Sequence, residues 1–239
     1  MKRDTKLRVA SVVGKNDEEG AKGLLFKVKE RMAKPNDPLY AGAGDPLFAS
    51  DGDLSIPPAM LAVFGKPVEE PVHRGPKWKY PRIEPDEHIL FIRAIKQRGE
   101  TGRLLGIEEE VTWGDAEAVW QRLDADGEGR HISIFCVERD NLTSRLHNSR
   151  LVRKTLRFSK DRAMLEAAVA LEDAYYNFCL PHDSLKRSLA HPRPTNGNGS
   201  PKKWSPRTPM MAESLTFHVW TLEELLSFRV PPRHIWTDP

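Results

Sequence analysis

The chain has only two cysteines, Cys136 and Cys179, in 239 residues. That excludes a zinc site built on thiolates, argues against a disulfide framework and fits a reducing cytoplasm. The eight histidines show no HxxxH or similar ligand spacing. No apolar run approaches the roughly 18 residues needed to span a bilayer, so no membrane partner is expected. The start, Met1 to Thr5, leads into an apolar run too short and too interrupted for a signal peptide. A phosphate loop is missing as well, since Gly42-Ala43-Gly44-Asp45 lacks the lysine, and neither GxSxG nor HExxH occurs. There is no internal repeat. A net charge of +3 does not by itself imply nucleic acid.

The distribution of charge says more than its sum. Residues 100–128 are acid-rich, with Glu108, Glu109, Glu110, Asp124, Asp126 and Glu128. Arg139 to Arg162 then holds eight Lys/Arg against Asp140 and Asp161 alone. Such segregation makes a local positive field that a near-neutral total hides. Glu138 stands at its edge, closing the apolar run Ile132 to Val137. On a helix, at about 100° per residue, Asn141 and Arg145 fall within roughly 60° of Glu138. An acid, an amide and a guanidinium then share one face. A carboxylate so placed can hold a divalent cation while the surrounding charge holds phosphates. It can equally be a surface glutamate on an ordinary basic helix.

Periodicity and punctuation outline the elements. Leu7 to Val13 reads as a strand and Asp17 to Met32 as a helix with Ala21, Leu24, Leu25, Val28 and Met32 on its apolar stripe. A turn-rich segment from Lys34 to Asp45 leads to a short strand, Pro46 to Ser50, followed by Asp51-Gly52. Ile56 to Phe64 reads as a brief helix, and Pro67 to Pro85, with five prolines, as an irregular crossing. His88 to Lys96 and Arg103 to Trp113 form a strand pair; Asp115 to Leu123 is a short helix, and Asp124 to Gly129 a loop. Beyond Glu138 the pattern is helical to about residue 157, and a second helix runs from Lys160 or Asp161 to Cys179. Residues 186–207 have the Pro, Asn, Gly and Ser content of a flexible linker. A final helical segment follows Pro209 and ends before Val230.

Glu138-Arg139-Asp140-Asn141-Leu142-Thr143, then Arg150-Leu151, Arg153-Lys154-Thr155-Leu156 and Phe158-Ser159-Lys160, resemble the carboxy-terminal signature of insertion-sequence transposases. The similarity is to the insertion sequence 1 type and its relatives in the DDE superfamily. It continues through Tyr175-Tyr176-Asn177-Phe178, Pro181-His182-Asp183-Ser184-Leu185, Thr208 to Ala212, and Leu215 to Leu226. It covers residues 131–232 well and 6–130 more loosely. Leu180 stands where the family often has an arginine, so no phosphate contact is expected at that position.

The resemblance implies a DNA transposase that cuts and joins strands at transposon ends. It implies Mg²⁺ (or Mn²⁺), two ions in the intact site, with DNA and further copies of the protein as partners and a cytoplasmic, nucleoid-associated location. Two ions about 3.5–4 Å apart activate the attacking oxygen and stabilise the leaving one. Glu138 takes the place of the third metal-binding carboxylate. Asp51, in the family's Ser-Asp-Gly context, takes the second, with Asp53 as the fallback; Asp51-Gly52 can also be a plain turn dipeptide. Arg139, Asn141, Arg145, Arg150, Arg153, Lys154 and Lys160 are the implied DNA-binding residues, largely on phosphates. Trp204 and Trp236 are candidates for stacking on bases, whereas Trp220 fits core packing better.

The implied fold class is α/β, a partial ribonuclease-H-like fold with a mixed sheet that lacks its opening strands, plus a helical carboxy-terminal arm. On this expectation residues 1–160 form a truncated catalytic region and 161–239 the arm, with its linker at 186–207. The first family carboxylate has no counterpart; Asp4 is a poor substitute. The expectation is therefore an amino-terminally truncated, inactive copy. The alternative is a non-catalytic DNA-binding or interaction fragment.

Overall fold

Ile89 to Ala94 is a near-continuous apolar run broken only by Arg93, a pattern that suits a strand covered on both faces. In the computed structural model this run lies in β4 (Leu90–Arg98), the middle strand of a mixed three-stranded sheet. It pairs in parallel with β1 (Leu47–Asp51) and antiparallel with β5 (Leu104–Trp113). The structure describes residues 1–32, 46–68, 82–125, 132, 135–152, 154, 156–195 and 199–229, without the side chains of Phe135 and Cys136. The chain divides into two units, Val9–Leu146 and Met1–Arg8 with His147–Pro239. Among the described residues no helix is long and apolar enough to cross a membrane.

In the first unit, α1 (Glu18–Arg31) and α2 (Ile56–Phe64) cover one face of the sheet, where Leu25, Met60 and Phe64 pack with Phe91 and Trp113. On the other face α3 (Ala116–Ala125) packs Val119 and Leu123 against Leu90, Ile92 and Ala94, together with Ile132. The result is a three-layer mixed α/β unit. The caps follow the sequence: Asp17 accepts from Gly20 N before α1, and Asp115 accepts from Ala118 N in α3. Gly114 turns β5 into α3 with φ +86, and a Cβ there would meet Leu90 Cδ2 at 2.4 Å. Two short strands, β2 (Lys66–Pro67) and β3 (Ile83–Glu84), pair antiparallel. Helix α4 (Phe135–His147) carries Glu138 in its first turn.

The second unit centres on α5 (Arg162–Phe178), capped by Asp161 through Ala163 N and Met164 N. Its side chains Glu172, Tyr176 and Asn177 hold Arg8. Phe178, Trp220 and Phe228 stack at 4.6 and 5.3 Å, which places Trp220 in packing as expected. A two-stranded ribbon, β6 (Arg187–Arg193) and β7 (Lys202–Ser205), precedes α6 (Pro209–Ala212) and α7 (Leu222–Ser227).

Four expectations need correction. Leu7 to Val13 carries no sheet pairing; Leu7 O accepts from Lys2 N, and several other backbone groups bond to side chains. Asn177 exchanges two hydrogen bonds with Arg8, while Lys27 and Arg31 donate to the carbonyls of Ser11 and Val9. The helix after Glu138 stops at His147 rather than near 157. Extended Asn148 accepts from Arg150 N and starts a separate 3₁₀ turn, Ser149–Leu151. Residues 186–207, with a linker's composition, contain the β6–β7 ribbon, because a two-stranded ribbon tolerates proline on its free edges. The last segment is two short helices: Ser214, at φ 61, follows the first, and the Thr221–Glu224 capping box opens the second.

Candidate functional site

Register and alternation decide which side chains meet on the sheet. Leu47, Ala49 and Asp51 of β1 lie beside Leu90, Ile92 and Ala94 of β4. Partners in a ladder share a face, and alternate residues along a strand return to it. Asp51 therefore ends the face that α3 covers. Lys96 is the next residue of β4 on that face, about 7 Å beyond Ala94. Its ammonium forms an ion pair with the Glu138 carboxylate. Asp51 and Glu138 thus lie on the same side of the sheet, connected through two residues of β4. Both are exposed.

A third carboxylate shares this side. Glu109 of β5 stands opposite Ala94, so Asp51 and Glu109 flank the same residue. Their backbones are separated by two strand spacings, about 10 Å, and the Glu109 carboxylate accepts from Ile132 N at 2.7 Å. In the sequence Glu109 stands out only as part of an acidic run. Lys96 gives no signal there either, although its parity with Leu90, Ile92 and Ala94 is readable once β4 is recognised.

Asp53 is occupied elsewhere. Its Oδ1 accepts from Ser55 N at 2.8 Å and Ser55 Oγ at 2.7 Å, and its Oδ2 from Asn16 Nδ2 at 3.1 Å. These bonds, the one to Ser55 N foremost, hold its carboxyl below the ordinary value of 3.8, and the Arg93 guanidinium adds to the effect. Asp53 organises the turn into α2 and is no fallback ligand. Because its folded pKa is depressed, its stabilisation is complete above about pH 3.8 and is lost as pH falls through the lower folded value. An NMR titration of the carboxyl should therefore show a midpoint below 3.8; a midpoint at or above 3.8 would refute the bonding described.

Arg93 interrupts the apolar run for a local reason. Its side chain is nearly buried, donates from Nη2 to Gly52 O at 3.2 Å, and lies 3.7 Å from Glu110. It fastens the end of β1, where Asp51 stands.

The basic residues fall into two groups. Arg139 and Asn141 are exposed on α4 and Arg145 is half-buried there, on the same helix as Glu138. Arg150, Lys154 and Lys160 belong to the other unit and are exposed, with Arg150 Nη1 donating to Ser159 Oγ at 3.0 Å. Arg153 and Trp236 lie outside the described residues.

The donors do not fit a two-ion centre as they stand. Glu138 is paired with Lys96, Glu109 holds a backbone N–H, and among the described residues no group of three or more His, Cys, Asp or Glu can hold a metal. Two carboxylates can hold one hydrated Mg²⁺ weakly, since that ion keeps several waters. No family model matches the chain, and neither a curated protein nor a solved structure matches it.

Proposed function

We propose that the chain is a DNA-acting protein of the DDE transposase class, in which Asp51 and Glu138 are the metal-facing acids and α4 meets DNA. The observation that carries the reading is the common side of the sheet for Asp51 and Glu138, bridged by Ala94 and Lys96. A ribonuclease-H-like ancestry agrees with a strand ending in a carboxylate, a parallel neighbour and a later helix bearing a glutamate. DNA is the partner, and a further copy of the chain is the second partner this class implies. The ion would be Mg²⁺ or Mn²⁺ held by Asp51 and Glu138.

Titration with Mn²⁺, read by water-proton relaxation, tests the shared site. Asp51→Asn and Glu138→Gln should each weaken the same ion, and the double variant should do little more than either alone, because neighbours around one ligand are non-additive. Parent-like binding in both single variants would remove the assignment.

The Lys96–Glu138 ion pair favours a second reading, a non-catalytic DNA-binding protein of the transposase class, because the carboxylate is already neutralised without metal. Both readings place DNA on α4. Arg139→Ala with Arg145→Ala should reduce the slope of log K against log salt by about 0.9 for each duplex phosphate that is no longer neutralised. An unchanged slope would mean that these charges only solvate the helix.

A further inference from the structure

The β6–β7 ribbon has a chemical character that the carboxylate site does not explain. Between Ser184 and Ala212 the sequence holds six Lys/Arg and no Asp or Glu. Antiparallel pairing sets Ser188 opposite Trp204 and Arg193 opposite Lys202. Lys202 and Trp204 are two apart on β7, which returns both to one face, and Arg193 pairs with Lys202 beyond an irregularity in the register. They line one shallow cavity of about 550 Å³. Two cations directly opposed across a ribbon repel each other, and here no acid in the neighbouring sequence offsets them. Beside them the Trp204 ring is half exposed, with Lys186 Nζ 5.5 Å from its centroid. Arg207, at the base of the ribbon, has its pKa lowered, first by burial and then by the Arg187 charge.

Opposed cations call for an anion, and an exposed indole beside them calls for a flat, polarisable group. A polynucleotide supplies both. A duplex hides its base faces, whereas a single strand offers them. An acidic peptide supplies the charge without the planar ring.

We propose that the β6–β7 ribbon binds single-stranded DNA, with Arg193 and Lys202 on the phosphates and a base stacked on Trp204. The ribbon lies in a different unit from Asp51 and Glu138, and the inference stands independently of the metal assignment.

The test uses the full chain and a fluorescein-labelled thymidine 20-mer, read by anisotropy at several salt concentrations. Trp204→Ala should weaken single-strand binding about tenfold, the effect of losing one stacked base, and Trp204→Phe should recover part of it. The same substitution should leave binding to a blunt duplex unchanged. Arg193→Ala with Lys202→Ala should lower the salt slope on the single strand by about 0.7 for each phosphate that is no longer neutralised. Circular dichroism checks that the variants keep the parent fold, as exposed positions should. Parent-like single-strand affinity in Trp204→Ala, or equal losses on single strand and duplex, overturns the proposal. So does a poly-glutamate competitor that displaces the 20-mer as well as unlabelled thymidine 20-mer does. Trp204→Ala should leave the Mn²⁺ titration as in the parent, since Trp204 lies in a different unit from Asp51 and Glu138, which separates failure here from failure of the metal site.

Discussion

Arg8→Ala is expected to lower the free energy of unfolding by about 3–5 kcal/mol, the usual cost of removing one partner from a buried ion pair. The Arg8 and Glu172 side chains are only 5% and 7% exposed and meet at 2.6 Å. Asp173 lies 3.2 Å from the same nitrogen, and the guanidinium sits 3.8 Å from the Tyr176 ring centroid. Alanine strands the Glu172 carboxylate where water cannot reach it and empties the volume over the ring. Glu172→Ala should cost less, because Arg8 keeps Asp173. Replacing both with apolar groups, Arg8→Met with Glu172→Leu, should recover most of the loss, since the penalty is an uncompensated charge rather than a missing attraction. Urea unfolding followed by circular dichroism measures all three variants. A loss below about 1 kcal/mol for Arg8→Ala would show that the pair is open to water in solution.

The second large effect is on catalysis. With Mg²⁺ and a supercoiled plasmid, the 239-residue chain is expected to show no nicking above background, and Glu138→Ala should change nothing. Two acids hold at most a weakly bound ion, and Lys96 competes for one of them. A displacement of about 1 Å already costs on the order of a hundredfold in rate, so partial occupancy rescues little. Lys96→Ala should tighten Mn²⁺ roughly tenfold, as expected when one positive charge near a divalent ion is removed in a mostly aqueous setting. It should still not restore cleavage. Robust Mg²⁺-dependent nicking abolished by Glu138→Ala would mean that a third donor joins the pair. Glu109, on the same side of the sheet, would be the first residue to substitute.

Much of the local structure is legible in the sequence alone. A short apolar segment places α2 at Ile56–Phe64, and helical periodicity with the Asp161 cap puts α5 between Asp161 and Cys179. The β4–β5 pair follows from two strand-like segments joined through Gly99 and Gly102. These elements are governed by interactions within a few residues, which a sequence states directly. The misreadings have the opposite origin. Residues 7–13 have a strand's pattern, but backbone groups of Arg8, Val9 and Ser11 bond to the side chains of Asn177, Arg31 and Lys27, all beyond the reach of local pattern. The ribbon at 187–205 is invisible to composition because cross-strand pairing, not propensity, creates it.

For the candidate site the division is similar. The residue types can be read directly from the chain: an acid at the end of a strand, an acid at the start of a basic helix, and a basic stretch around Trp204. Tertiary structure alone decided their company. The register of β1 on β4 put Asp51 on the same side as Glu138, and the bonds to Ser55 and Asn16 took Asp53 out of contention. The placement of α4 gave Glu138 to Lys96. Register and packing join residues far apart in the chain, and a one-residue shift would send each of these strand side chains to the other face.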